Sequence, residues 1–454
     1  MLLGAGHVKF GSAVRCAVLA LVSSVARADD VVWADARVAL YAQYFQQALL
    51  PGSPGSVTRI EPAFPVSLSG FVRFGAVNLP GAPDSVSGEV SVWGRAGPLD
   101  GIQGDGDVTA AWAQYRRGAL RVRLGRQLTL PGSRRYVRFD GATLGVSVGV
   151  LDVDVYGGWV ALPRWNQPRG ASLLGFVGDG LRDPLLLEAQ NRAGQVTAGG
   201  RVAFRLPRES RLGFSFHQQH DLGGVASRVV AADLITQPLV WLGAGARMTF
   251  DLQALDVSEA AVWVDVTKIV RVPLAIDYSF QRPSLLLPHT SVLAAFGGAS
   301  WHELGAEATV RVFDSLQVTG RGAAQVFEGD QPGGRAQVQV RWWPGLERRL
   351  LVLAEVARVL VPPSGYVQLR VGARYRASQT ITTSFDGAVF LYDTPVRGVN
   401  SSMTAVASVE WAARPWLRMM ISSTVMRTPF AAFEAQGLAR LVVELDPQSA
   451  AGAP

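Results

Sequence analysis

The sequence holds one cysteine, Cys16, and two lysines, Lys9 and Lys268, among its 454 residues. A single cysteine excludes a disulfide framework and a cysteine metal site. After residue 30 no stretch reaches the roughly 18 uninterrupted apolar residues that a transmembrane helix needs. A phosphate-binding glycine loop with lysine and a dinucleotide fingerprint are also missing from the sequence. Disulfide-stapled, helical-membrane and nucleotide-binding classes are therefore excluded.

The first 28 residues have the composition of a secretory signal peptide. His7, Lys9 and Arg15 precede a short apolar run, 16–22, and the small residues of Ala26-Arg27-Ala28 form a cleavage site. Removing 1–28 lowers the basic count from 43 to 40 against 36 acidic residues, which leaves a net charge of +4. Such a mild, scattered charge argues against nucleic acid as a partner.

Apolar residues occupy every second position in segments of about ten residues. Between 366 and 376, Leu369 and Val371 alternate with Arg370, Arg374 and Arg376. A period of two places the apolar residues on one face of a strand and the arginines on the other. The segments around Arg121 and Arg123 and around Arg201 and Arg205 show the same split. Strands with a lipid-facing exterior and a polar interior have this pattern.

The alternation predicts an all-β, transmembrane, antiparallel up-and-down barrel of about 22 strands, with 18 to 22 acceptable. The barrel spans residues 29–445 as one domain, after the signal peptide 1–28 and before a short tail, 446–454. The predicted strands are 33–45, 65–77, 87–97, 107–116, 119–127, 142–149, 152–161, 195–206, 210–219, 226–236, 239–251, 257–267, 272–281, 302–313, 315–328, 334–343, 349–359, 366–376, 380–392, 402–412, 415–425 and 435–445.

The connections between these strands alternate in length. Tight links fall at 117–118, 151, 236–238, 314–315, 377–379 and 413–415, and long loops are expected at 128–141, 162–194, 281–301, 393–401 and 426–434. In outer-membrane barrels the short turns are periplasmic and the long loops external. Aromatic residues on the apolar face support this orientation, since rings favour the two membrane interfaces. They are Trp342, Tyr375 and Trp411 beside short turns, and Trp159, Phe250, Tyr278 and Phe280 beside long loops.

One local pattern resembles a family. Leu124-Gly125-Arg126-Gln127 ends a strand, and Arg138-Phe139-Asp140-Gly141 enters the next one after a loop. This arrangement is similar to that of porin-like and alginate-export-type outer-membrane β-barrels of Gram-negative bacteria. The resemblance implies a barrel in the outer membrane and a channel function. The last strand departs from these barrels, because it does not finish on an aromatic residue.

The inner face of such a barrel is rich in arginine. The candidate pore-lining residues are Arg121, Arg123, Arg201, Arg205, Arg247, Arg370, Arg374 and Arg376. An arginine surplus in a low-dielectric wall favours anionic solutes. The alternative is that arginines and carboxylates pair across strands and fix a packed interior with little remaining field. The sequence leaves both readings open.

Two functions follow. The first is a porin-like channel for passive, anion-favouring diffusion of small solutes, narrowed by the apolar loop 162–194 or 281–301. The second is a non-transport barrel that acts as a scaffold or partner-binding component of the envelope. Its external loops would contact an envelope partner or a second copy of the chain in a homo-oligomer. Natural barrels of about 22 strands are plugged, and this sequence shows no obvious plug domain.

Enzymatic, metal and cofactor functions are not predicted. Residues 145–149 match the spelling of a nucleophile elbow, but that motif needs a strand-to-helix turn and these residues lie in an alternating strand. His217 and His220 are three residues apart on a strand, so their side chains point to opposite faces. The expected partners are therefore outer-membrane lipids and small, anionic solutes.

Overall fold

A computed structural model describes residues 32–49, 59–63, 66–76, 84–99, 102–129, 137–161, 195–221, 224–267, 272–285, 299–345, 347–362, 364–396, 398–429 and 431–445. Alternating apolar and polar residues form antiparallel strands throughout this part of the chain. The predicted signal peptide, the tail 446–454 and most of the loops 162–194 and 281–301 lie outside the described residues.

The strands are β1 (Val32–Leu49), β2 (Arg59–Ala63), β3 (Val66–Ala76), β4 (Asp84–Leu99), β5 (Ile102–Arg117), β6 (Leu120–Thr129), β7 (Val137–Val148), β8 (Leu151–Val160), β9 (Val196–Leu206), β10 (Ser210–Asp221), β11 (Gly224–Leu239), β12 (Leu242–Asp251), β13 (Asp256–Val266), β14 (Leu274–Gln281), β15 (Trp301–Phe313), β16 (Leu316–Phe327), β17 (Gln331–Trp342), β18 (Leu350–Leu360), β19 (Tyr366–Arg376), β20 (Ile381–Val396), β21 (Val399–Arg414), β22 (Leu417–Arg427) and β23 (Ala431–Leu445). One 3-10 turn, Pro283–Leu285, follows β14. Among the described residues no helix is long and apolar enough to cross a bilayer.

The sheet closes on itself because β1 pairs with β23 on one side and with β2 and β3 on the other. The pairs Phe45–Ala63 and Ala42–Val66 belong to one unbroken register, so β2 and β3 continue each other as a single wall strand. The 23 strand segments therefore make 22 wall strands, each paired with its neighbours in the chain. This arrangement confirms the predicted all-β antiparallel barrel.

The two faces of the wall differ in composition. Large apolar side chains such as Leu304 (59% exposed), Val371 (53%) and Ile421 (62%) form the outer face, as they must if lipid covers it. Of the predicted interfacial aromatics, Trp159, Trp342, Tyr375 and Trp411 are exposed on this face, while Phe250, Tyr278 and Phe280 are half-buried.

The connections define two ends of the barrel. The turn end carries the start of β1, the end of β23 and tight turns such as 118–119, 149–150 and 314–315. The opposite end, called the loop end, carries the end of β8, the start of β9, the end of β14 and the start of β15. Two predicted long loops are wrong. Only residues 397–398 join β20 to β21 and only 428–430 join β22 to β23, because these strands continue beyond the alternating segments from which their ends were predicted.

Candidate functional site: the inner wall

All eight predicted pore-lining arginines lie on the inner face, opposite the exposed apolar side chains. Arg121 and Arg123 are on β6, Arg201 and Arg205 on β9, Arg247 on β12, and Arg370, Arg374 and Arg376 on β19. They do not meet in one place. They differ in their partners: five pair with carboxylates, Arg123 has a neutral partner, and two have neither among the described residues.

Three inner-face ion pairs cross an intervening strand at a glycine. Arg121 reaches Asp154 over Gly145, Arg201 reaches Asp233 over Gly213, and Arg321 reaches Asp277 over Gly305. In each case a side chain on the middle strand would occupy the space of the pair. A Cβ on Gly213, for example, would lie 2.1 Å from Arg201 Nη2. We call these three contacts the glycine-bridged pairs.

The geometry of the glycine-bridged pairs is that of strong hydrogen-bonded ion pairs. Arg201 donates to both carboxylate oxygens of Asp233, at 2.5 and 2.6 Å, and Arg321 lies 2.8 Å from Asp277. A planar guanidinium matches a carboxylate in this two-point contact. Part of the predicted cationic surplus is therefore neutralised within the wall.

The remaining arginines of β6, β9 and β12 also have partners. Arg205 donates to Asp152 at 2.9 Å, and Arg247 lies 3.8 Å from Glu259. Arg123 donates twice to the Gln114 side-chain oxygen, at 2.7 and 3.0 Å, and its guanidinium lies 4.2 Å from the centre of the Trp112 ring. Because Gln114 and Trp112 are neutral, Arg123 keeps its full charge.

A small cavity of about 110 Å³ opens on the inner wall beside these strands. Its lining includes Arg121, Arg123 and Arg201 together with Asp154, Thr143 and Tyr156. Because Arg121 is paired with Asp154 and Arg201 with Asp233, Arg123 supplies the net positive charge of the lining. Of the predicted residues, these three arginines are the ones that the fold brings together.

A carboxylate cluster on β14 and β15 was missed by the sequence-based site prediction. Glu303 is buried and accepts from Arg321 at 3.3 Å, from Gln325 at 2.6 Å and from Arg335. Glu307 lies 4.0 Å from Arg321. The contacts of Glu303 join residues 18 to 32 positions apart, which no local pattern reveals.

On β19 the three predicted arginines differ in their surroundings. Arg370 donates to both oxygens of Asp386 at 2.8–3.0 Å. Arg374 and Arg376 are exposed, and no described carboxylate lies within ion-pair distance of either. The inner wall thus carries paired arginines in one part and arginines without a described carboxylate partner in another.

The motif that carried the family resemblance is assembled by the pairing of β6 with β7. Gly125 lies opposite Gly141, Arg126 opposite Asp140 and Gln127 opposite Phe139. Arg126 donates to both carboxylate oxygens of Asp140 at 2.7 Å.

Glycine is required at this point because neighbouring backbones approach closely. A Cβ on Gly125, whose φ is +112°, would lie 2.2 Å from the Ala111 carbonyl oxygen, and one on Gly141 would lie 2.1 Å from the Gly157 carbonyl oxygen. Gly125, Gly141 and Gly158 are successive cross-strand partners, so they form a glycine row across β6, β7 and β8.

Beside the glycine row lies a buried aromatic cluster of the inner wall. Phe139 is fully buried against Tyr156, with ring centres 5.4 Å apart, and the Tyr156 hydroxyl is 2.8 Å from His217 Nδ1. His217 is buried on the inner face, whereas His220 contacts Gln218. The two histidines are held separately by protein contacts, and within the described ranges no group of three metal-ligating side chains occurs.

The predicted elbow-like segment 145–149 belongs to a strand. Its first four residues are the end of β7, and Ser147 pairs with Asp152 in the β7–β8 ladder. Gly145 has a structural use, because it leaves room for the Arg121–Asp154 pair.

Comparison with known proteins gives similarity at the level of fold. No protein-family model and no curated protein matches the chain. Among solved structures, OccK7 (OpdD) of Pseudomonas aeruginosa is 10% identical, with 92% of this chain and 100% of that one covered and a TM-score of 0.44. A BenF-like porin of Pseudomonas fluorescens Pf-5 is 10% identical, with 92% and 99% covered and a TM-score of 0.42. The P pilus usher PapC translocation pore is 10% identical, with 90% and 99% covered and a TM-score of 0.44.

These alignments are distant, and the strand pairing of the chain itself establishes its architecture. The chain is an antiparallel up-and-down β-barrel.

Proposed function

We propose that this chain is an outer-membrane channel for passive diffusion of small solutes, with a preference for anions. The observation that supports the proposal most is the closed wall of 22 described strands. Its outside is apolar, and arginines of β6, β9, β12, β15, β16, β17 and β19 lie on its inside. An apolar exterior with charged groups inside suits a lipid-embedded wall around an aqueous path.

The anion preference follows from the lining. Arg123 faces neutral partners, and Arg374 and Arg376 are exposed on the same inner face without a described carboxylate partner. Charges of one sign in a low-dielectric wall attract counter-ions into the pore. The turn end faces the periplasm in this proposal, as short turns do in outer-membrane barrels, and residues 1–28 direct secretion across the inner membrane.

The test is conductance of the refolded mature protein in a planar bilayer under a KCl gradient. A steady conductance with a reversal potential of the sign expected for chloride preference is the predicted result. A barrel that shows the heat-dependent gel shift of a folded barrel but stays silent in the bilayer would contradict the channel. The scaffold would then be the better proposal. In that case the external loops would bind the partner.

A further inference from the structure

On β15, β17 and β19 the inner-face arginines near the turn end lack described partners, unlike Arg335 and Arg370 farther inside the barrel. Arg311 is the third residue from the end of β15, Arg341 is next to last in β17, and Arg374 and Arg376 close β19. All four are exposed, and none makes an ion pair or side-chain hydrogen bond with a described residue. We call these four residues the mouth arginines.

The register shows that the mouth arginines share one patch. Arg311 and Arg341 both lie opposite Gln317, one on each side of it, so two strand spacings of about 5 Å separate their backbones. Arg341 lies opposite Leu353, and Arg374 lies opposite Leu351 on the same strand, two residues nearer the turn end. The patch therefore extends over five neighbouring strands, β15 to β19.

Nearby charges do not cancel the patch. The adjacent turns add Asp314 and Glu347, but Glu347 is bound to Arg349 at 2.5 Å and Arg348 accompanies them. Glu410, an inward-facing carboxylate without a described ion pair, lies opposite Thr382, which lies opposite Arg376, so it offsets part of the charge at one edge of the patch. Asp265 lies farther along the rim, on β13. The balance of the described groups on β15–β19 at this end remains positive.

We infer that the anion preference of the channel is set by the mouth arginines, at the turn end of the barrel, and that it is therefore sided. The inference rests on the proposed channel function and assigns its selectivity to one place. Paired charges farther inside present local dipoles, whereas unpaired guanidinium groups at a pore entrance attract anions and repel cations.

Sidedness has a physical consequence. A fixed charge at one mouth concentrates anions at that mouth only, so current through the pore depends on the sign of the voltage. The effect weakens with salt because the screening length shrinks from about 30 Å at 0.01 M to about 3 Å at 1 M. Rectification at low salt is the signature that a uniform lining does not produce.

The experiment compares the natural mature chain with three variants in planar bilayers. Each protein is first shown to be folded by its heat-dependent gel shift. One carries Arg311→Gln, Arg341→Gln, Arg374→Gln and Arg376→Gln. The second carries lysine at the same four positions, which keeps the charge. The third carries Arg370→Gln with Asp386→Asn, which removes a paired arginine of β19 without changing the net charge.

We expect the glutamine form to conduct with a chloride-to-potassium permeability ratio near one and without low-salt rectification. The lysine form and the Arg370→Gln/Asp386→Asn form should keep the ratio and the rectification of the natural sequence. A conducting glutamine form with an unchanged ratio would overturn the inference and leave the channel intact. A natural sequence that conducts without anion preference would also overturn it, whereas a folded but silent natural sequence would refute the channel itself.

Discussion

Both ends of β15, β17 and β19 carry charged residues on the inner face, but the charges differ in whether they are paired. Toward the loop end, Glu303 and Arg335 belong to one network, and in mid-strand Arg370 is held by Asp386. At the turn end of the same strands, Arg311, Arg341 and Arg376 are exposed without a described ionic partner. A charge on the inner wall thus holds strands together in one zone and remains available to solutes in the other.

The comparison predicts that substitutions in the paired, close-packed zone change stability, and that substitutions at the mouth change ion preference.

Gly141→Ala should be the most damaging of three glycine substitutions. Its Cβ would meet the Gly157 carbonyl oxygen at 2.1 Å, and backbone cannot move aside without opening the β7–β8 ladder. We expect loss of the folded species in a refolding assay followed by gel shift. Gly213→Ala should be milder because its Cβ meets only the movable side-chain ends of Arg201 and Asp233. Gly320→Ala, with nothing within 4 Å, is the matched control.

If Gly141→Ala refolds as well as Gly320→Ala, the close approach in the glycine row is not required for the fold.

Glu303→Gln should destabilise the barrel next most strongly. The buried carboxylate serves Arg321 and Arg335, and its neutralisation leaves both guanidinium groups with a weaker partner. The cost is about 1–3 kcal/mol per polar group left poorly satisfied. The measurement is the urea midpoint of unfolding, with Arg374→Gln as the control at an unpaired site. Equal midpoints for the two variants would count against the distinction between the zones.

Tyr156→Phe should have a smaller effect. It removes the hydroxyl that lies 2.8 Å from His217 Nδ1 at a buried position of the inner wall, and such a hydrogen bond contributes about 1 kcal/mol. Tyr375→Phe is the matched control, because Tyr375 is exposed on the outer face and its hydroxyl makes no described hydrogen bond. The same urea titration should separate the two, and an indistinguishable pair would show that the buried contact adds nothing.

Much of the fold could be predicted from the sequence because a period of two is a local property. Each of the 22 predicted segments overlaps a wall strand, and the segment 366–376 has the predicted bounds. The predicted strand ends were wrong where strands extend past the lipid-facing band. Around Asp393 and Ser401 both faces of the wall carry polar groups, so alternation ends there while backbone pairing continues.

The candidate site was predictable only in part. Alternation placed Arg121, Arg201 and Arg370 on the inner face, but their partners depend on the register between strands, which turns and bulges set. The Arg201–Asp233 contact skips a whole strand. A glycine at an inward position of the middle strand, such as Gly213, indicates that side chains from the two flanking strands can meet there. The glycine does not identify which charged residues form the pair.

The most direct measurement compares two double substitutions on β19, which share a strand and a face. The reversal potential of Arg374→Gln/Arg376→Gln is set against that of Arg370→Gln/Asp386→Asn in the same KCl gradient at low salt. The account predicts that the first shifts toward zero and that the second keeps the value of the natural sequence. Equal shifts, or a shift in the paired variant alone, would contradict the claim that the charges of the mouth, rather than the paired charges inside the wall, act on the solute.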